Sequence, residues 1–236
     1  MRVVSLKKDL RKYANQEKKE FLPKFFKTGK GEYGEGDKFL GVIVPEITKI
    51  ANNYPDLKKN EIKKLLYSPW HEERFCGWLI VLNNFNSSDN KEEWYTFTIK
   101  NLNQLNNWDL VDKIAPNLIG KYLEKKNQNQ FLEWSGSSSL WIRRIAIIAT
   151  WPKIKNNEFT LTLKLAKKYI NDSEDLIHKA TGWMLREIGK RDEKKLLSFM
   201  KENHKKMPRI MVIYALERVN REKKQQFMLK SSRKIH

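Results

Sequence analysis

Trp108 and Asp112 stand four residues apart, in Asn107-Trp108-Asp109-Leu110-Val111-Asp112. On a helix, side chains at that spacing share a face, with Asp109 displaced to one side. The segment is acidic inside a chain with 47 Lys+Arg against 28 Asp+Glu and a formal net charge of +19. A charge of that sign and size suits a polyanionic partner, which a carboxylate would repel. Carboxylates beside an indole must therefore meet something positive. A cationic, alkylated base, or the sugar cation left when such a base departs, has that charge. A carboxylate would stabilise an oxocarbenium-like sugar or activate the attacking water. An indole face would attract the cationic base by about 0.5–2 kcal/mol. Read from the residues alone, Asp109 is a helix N-terminal acid placed to suit the dipole, and Trp108 is equally a core residue. For Asp112, past the first turn, the dipole argument is weaker.

Other residues extend this constellation. Trp183 lies in Gly182-Trp183-Met184-Leu185-Arg186-Glu187. A glycine inside a helical pattern costs up to about 1 kcal/mol against alanine, which points to close approach by another helix or a ligand. Arg143 and Arg144 follow Trp141 early in a helix; neighbours there point about 100° apart, so one of them would face a ligand. An unpaired arginine at the edge of a basic groove would clamp phosphate, whereas most surface arginines are simply solvated. Lys153, Lys179 and Arg186 would widen the footprint.

The elements that must hold these residues are helical. Apolar periodicity of the helical kind recurs throughout, broken by short Asn-, Ser-, Gly- and Pro-rich stretches. Helices are expected over Leu6–Phe26, Pro45–Asn52, Asn60–Tyr67, Pro69–Leu82 and Lys91–Leu102. Asn107 caps the next, Trp108–Ala115, and Pro116 interrupts or kinks it. Leu140–Trp151, Thr160–Ile170, Ser173–Lys190, Glu193–Asn203, Pro208–Val219 and Glu222–Leu229 complete the expectation. Residues 28–38 form a flexible Gly-rich loop, acidic over Gly31–Asp37, which either lies over the nucleic-acid groove or serves as a solvated connector, the reading preferred.

Arg74, Asp109, Arg144 and Lys179 succeed one another in steps of 35 residues. The local patterns Arg74-Phe75-Cys76-Gly77-Trp78 and Lys179-Ala180-Thr181-Gly182-Trp183 are alike. A period near 35 with two helices per unit marks an α-solenoid. The expected fold is all-α: a HEAT-like helical-repeat solenoid with a concave basic face, one domain over residues 1–230, and a basic tail at 231–236.

Four function classes lose support. With Cys76 the only cysteine, no intramolecular disulfide forms, and Phe75-Cys76-Gly77-Trp78 reads as a buried, inert thiol. The histidines at 71, 178, 204 and 236 form no zinc pattern, so no metal is expected. The start lacks a signal-peptide core, and no apolar run is long enough to cross a bilayer. The basic charge is spread over many segments rather than one amphipathic helix, which favours nucleic acid over a membrane surface.

Four segments, in order, resemble the motifs of AlkD-type DNA alkylation-repair glycosylases. They are Phe39–Glu46, Asn107–Asp112, Leu140–Ala146 and Lys179–Glu187, and the resemblance runs from about Phe25 to Arg218. It implies a helical solenoid that holds duplex DNA and excises cationic lesions such as 3-methyladenine and 7-methylguanine without flipping the base. Cofactors are not required. Asp112 would be the catalytic carboxylate, Trp108 and Trp183 the aromatic walls, and Arg144 a DNA contact, with Arg143, Lys153, Lys179 and Arg186 beside it. The resemblance further implies a monomeric, cytoplasmic, nucleoid-associated enzyme of base excision repair whose partner is double-stranded DNA carrying alkylated bases. The chain departs from the family at Phe25-Phe26, near a family tyrosine, and in the insertion Gly31–Asp37. A non-catalytic nucleic-acid scaffold with a structural Asp112 is the alternative, and an interaction solenoid for acidic proteins a third reading.

Overall fold

The computed structural model describes residues 2–126 and 128–228. The tail expected at 231–236, and Leu229 at the end of the last expected helix, lie outside the described residues. Among the described residues there is no strand, and an isolated bridge joins Lys38 to Trp70. The chain divides into two compact units, residues 1–110 and 111–236.

The first unit contains α1 (Arg2–Lys12), α2 (Gln16–Phe25), α3 (Val44–Asn52), α4 (Lys59–Leu66), α5 (His71–Ser87) and α6 (Lys91–Lys100), then a 3-10 turn at Leu102–Gln104. α5 is its axis, packing against α1, α3, α4 and α6. It is buried all round, from His71 through Leu82, so it lacks the one-sided apolar stripe of a surface helix. α1 by contrast buries only Val3, Leu6 and Leu10, spaced to fall on one face. Trp78, Ile80, Leu65 and Leu66 fill the centre, each such burial stabilising by roughly 1.5–3 kcal/mol. Gly77 allows α4 to close on α5, since a Cβ there would lie 2.9 Å from Leu65 Cβ.

Helix α7 (Trp108–Ile114) begins in the first unit and ends in the second. Asn107 immediately precedes it, and its side-chain oxygen accepts the adjacent backbone N–H of Trp108 at 2.8 Å rather than an amide further into the first turn. Pro116 interrupts it as expected. Proline offers no N–H to the carbonyl four residues back, and the chain answers with a wider π-helical stretch, Ala115–Gly120.

The second unit continues with α8 (Lys121–Leu123), α9 (Asn129–Trp134), α10 (Leu140–Ile148), α11 (Trp151–Lys155), α12 (Thr160–Tyr169), α13 (Asp175–Gly189), α14 (Glu193–Asn203), α15 (Arg209–Ala215) and α16 (Arg221–Met228). Its axis is α13, which packs against α10, α11, α12, α14 and α15. The helix expected over Leu140–Trp151 is two: it stops at Ile148 and α11 restarts at Trp151, with Pro152 in its first turn. α9 was not expected, because six residues of Asn129–Trp134 are too few to show a period.

Several ion pairs reach between neighbouring helix pairs. His71–Asp109, Arg74–Asp37, Arg144–Asp112, Arg186–Glu217 and Lys223–Glu193 join residues 38, 37, 32, 31 and 30 positions apart. Such spacings suit stacked helix pairs.

Candidate functional site

Asp112 belongs to the second unit. Its carboxylate receives a fork from Arg144: Nε donates to Oδ1 and a terminal nitrogen to Oδ2, both at 2.9 Å. The side chains are 21% and 6% exposed respectively. Arg144 comes from α10, and its remaining terminal nitrogen donates to the carbonyl of Leu176 at the start of α13. The carboxylate is thus oriented by a planar fork while one edge stays open to solvent. At 21% exposure the Asp112 carboxylate can still be reached by a ligand or a water.

This corrects the reading of Arg144 as an unpaired phosphate clamp, since its donors are committed inside the protein. Lys153 is likewise buried, donating to the carbonyl of Glu124 at 2.5 Å and to Glu158 at 3.3 Å. Arg143 forks onto Asp172 at 2.8 and 3.3 Å and also holds the carbonyls of Ser137 and Ser138. Arg186 is paired with Glu217 and Glu187. Lys179 is half-buried on α13. Surface lysines and arginines were expected; what the fold built from several of them is internal ion pairs.

Trp183 is half-buried, its ring nitrogen donating to Glu187 at 3.2 Å. Gly182 beside it explains the glycine in the helical pattern. A Cβ there would sit 2.5 Å from Tyr214 Cβ and 2.6 Å from the carbonyl of Met211, so α13 and α15 meet at a point only glycine allows.

Trp108 and Asp109 belong to the first unit, where their surroundings were not foreseen. Trp108 stacks on Phe26 with centroids 5.3 Å apart and meets Phe25 edge-on at 5.8 Å. Phe26 stacks in turn on Phe39 at 5.1 Å and lies 4.8 Å from His71. Phe21 and Phe25 are 58% and 51% exposed, on a helix that buries none of its residues.

His71 lies between two carboxylates. Nε2 is 2.7 Å from Asp109 Oδ2 and Nδ1 is 3.3 Å from Asp37 Oδ2. Asp37 also receives Arg74 at 2.6 Å and the amide of Asn107 at 3.1 Å. Burial strongly opposes the charge on His71, but the field and hydrogen bond of Asp109 and the hydrogen bond of Asp37 outweigh it and raise the imidazole from 6.5 to about 9. Burial also works against the Asp37 carboxylate, yet His71, Arg74 and Asn107 hold it below the usual carboxylate range. Asp37 ends the Gly-rich loop, which is therefore anchored rather than a purely solvated connector. Sequence reasoning placed Arg74 and Asp109 in one repeat series but missed His71, whose signal was its position three residues before Arg74 on one helix.

Among the described residues no helix is long and apolar enough to cross a membrane. The chain is similar to a solved structure described as a predicted DNA alkylation repair enzyme from Enterococcus faecalis, with 17% identity and a TM-score of 0.67 over 88% of this chain and 97% of that one. That likeness supports the helical-repeat fold. A search of curated proteins finds no match. The family model for the DNA alkylation repair enzyme matches residues 6–219, so the chain belongs to the DNA alkylation repair enzyme family.

Proposed function

We propose that this protein is an AlkD-type DNA glycosylase, which hydrolyses the N-glycosidic bond of cationic alkylated purines such as 3-methyladenine and 7-methylguanine in duplex DNA. The observation that carries the reading is the Asp112 carboxylate, oriented by the Arg144 fork and still partly open to solvent. In a family that repairs alkylated DNA, such a group is suited to stabilise positive charge on the departing sugar or to activate water. Alkylation at a ring nitrogen makes the base cationic and a good leaving group, so the protein needs neither metal nor cofactor. Trp108 and Trp183 supply aromatic faces for that cation. Arg144 serves by holding Asp112; Lys179 and the +19 net charge favour phosphate, while Arg143 and Arg186 are engaged in ion pairs of their own. Excision proceeds without the base flipping that most glycosylases use. The protein acts as a monomer in base excision repair, in the cytoplasm at the nucleoid.

The test is release of free methylated base from methylated duplex, wild type beside Asp112→Asn. Loss of release with duplex affinity retained supports the reading, because removing a negative charge cannot weaken phosphate attraction. Absence of release from wild type, with salt-sensitive duplex binding intact, overturns it.

The Asp112–Arg144 fork, with its arginine buried, also favours a second reading, a nucleic-acid scaffold in which Asp112 is structural. Asp112→Asn would then lower stability and leave no activity to lose.

A further inference from the structure

The Gly-rich loop and the start of α7 are joined through one side chain. His71 opens α5 and lies between Asp37, at the loop's end, and Asp109, in the first turn of α7. Its backbone N–H donates to the carbonyl of Lys38 at 2.8 Å, fixing the same loop a second time. Phe26 and Phe39 cover the ring, with centroids 4.8 and 5.0 Å away, and Phe26 carries Trp108 on its own face. Asp109 also accepts the N–H of Leu110 through its other oxygen at 2.8 Å. Displacing Asp109 would therefore disturb the first turn of the helix that carries Trp108.

The charges around this ring balance only when it is protonated. Asp37 and Asp109 are two anions; Arg74, from the same helix, is one cation and lies 3.4 Å from Nδ1, where it opposes the imidazolium. A neutral His71 donates from one nitrogen only. With Nε2 donating to Asp109, Nδ1 would then accept from Arg74 at 3.4 Å rather than donate to Asp37, and the ring would no longer tie the two carboxylates together.

We infer that His71 is a positioning residue: as an imidazolium it ties Asp37 to Asp109 and so holds the Gly-rich loop and the Phe26–Trp108 stack in one arrangement. The inference rests, for its bearing on lesion recognition, on the proposed role of Trp108. The arrangement is stable while the ring is charged and loosens as the ring loses its proton in the alkaline range, where the imidazole's raised value of about 9 places the change.

The experiment uses the full chain as wild type, His71→Gln and Asp37→Asn, and has two arms. The first needs neither DNA nor activity. It follows the His71 ring by NMR and the amide exchange of residues 27–38 from pH 6 to 10, taking the variant-to-wild-type ratio so that intrinsic exchange cancels. At pH 7 the ratio for His71→Gln should be about tenfold or more, closing toward about one by pH 10. Asp37→Asn should lower the ring's midpoint by at least about one pH unit, and it remains informative if His71→Gln does not fold. A wild-type ring titrating near its ordinary value, or an exchange ratio independent of pH, overturns the inference. The second arm measures base release over the same range. Wild-type release should fall with the midpoint of the ring, whereas His71→Gln should be about tenfold slower at pH 7 and flat. A pH-flat wild-type release overturns the link to the stack. No release from wild type refutes the glycosylase reading, while the first arm still decides for or against His71.

Discussion

Asp109 and Asp112 stand three residues apart in one helix, and each is mostly withdrawn from solvent, with side chains 16% and 21% exposed. Their partners differ. In the first unit Asp109 meets a histidine that is itself shared with Asp37 and opposed by Arg74. In the second unit Asp112 meets an arginine in a two-pronged fork. A guanidinium keeps its charge where an imidazolium loses it, so the second pairing outlasts the first in the alkaline range. An imidazolium can lose its proton, so the first pairing is conditional. The same residue type, at neighbouring positions, is thus built into a lasting orientation in one unit and a titratable one in the other.

The comparison can be broken most severely at Asp112. Asp112→Asn should reduce base release by at least about 100-fold, the scale seen when a group acting on transition-state charge is removed, with duplex affinity unchanged or raised. Asp109→Asn should leave much of that release, and equal losses from both would dissolve the distinction. Next in size is Arg144→Ala. Removing the fork from a half-buried carboxylate should cost about 1–3 kcal/mol in urea unfolding; Arg144→Lys should recover only part, because an ammonium cannot reproduce the fork.

The conditional pairing predicts a pH dependence of stability. His71 has a folded value of about 9 against an ordinary 6.5. A raised value means that the folded state binds the proton more tightly. The stabilisation, on the order of 3 kcal/mol, is therefore complete below about pH 6.5 and is lost as pH rises through 9. The difference in unfolding free energy between wild type and His71→Gln should shrink over that window, whereas the corresponding difference for Arg144→Ala should stay level. Asp37 has the opposite sign: its contribution is present above the ordinary carboxylate range and lost as pH falls through its depressed value. Gly182→Ala should cost about 1–3 kcal/mol in thermal or urea unfolding, because the new methyl meets Tyr214 Cβ and a Met211 carbonyl with nowhere to move. The smallest effect is expected from Phe25→Ala, on a half-exposed ring, which should change stability by no more than about 0.5 kcal/mol.

Much of the local structure was legible in advance. Asn107 offers a side-chain acceptor just before an apolar-periodic run, Pro116 lacks the N–H a helix needs, and Gly182 is too costly in a helix without a close neighbour. Each of these signals is confined to a few adjacent residues. The break between α10 and α11 was not legible, because Ala149 and Thr150 are compatible with a continuing helix and Pro152 sits where it can equally open a new one. The surroundings of Arg144 were not legible either, since nothing in its own segment indicates a carboxylate 32 positions earlier.

What the sequence alone determined about this protein is its helical class, the repeat spacing near 35 residues, the excess of positive charge and the acidic segment set within it. These follow from composition and short-range periodicity, which depend only on residue order. The tertiary structure decided which charges are spent inside the protein. It turned Arg144 and Lys153 inward, made His71 the partner of both Asp37 and Asp109, and left Asp112 held but still open. The physical reason is that such pairings join residues about one repeat apart. Whether a cation meets solvent or a buried carboxylate is set by how neighbouring helices pack, and by the desolvation that packing imposes.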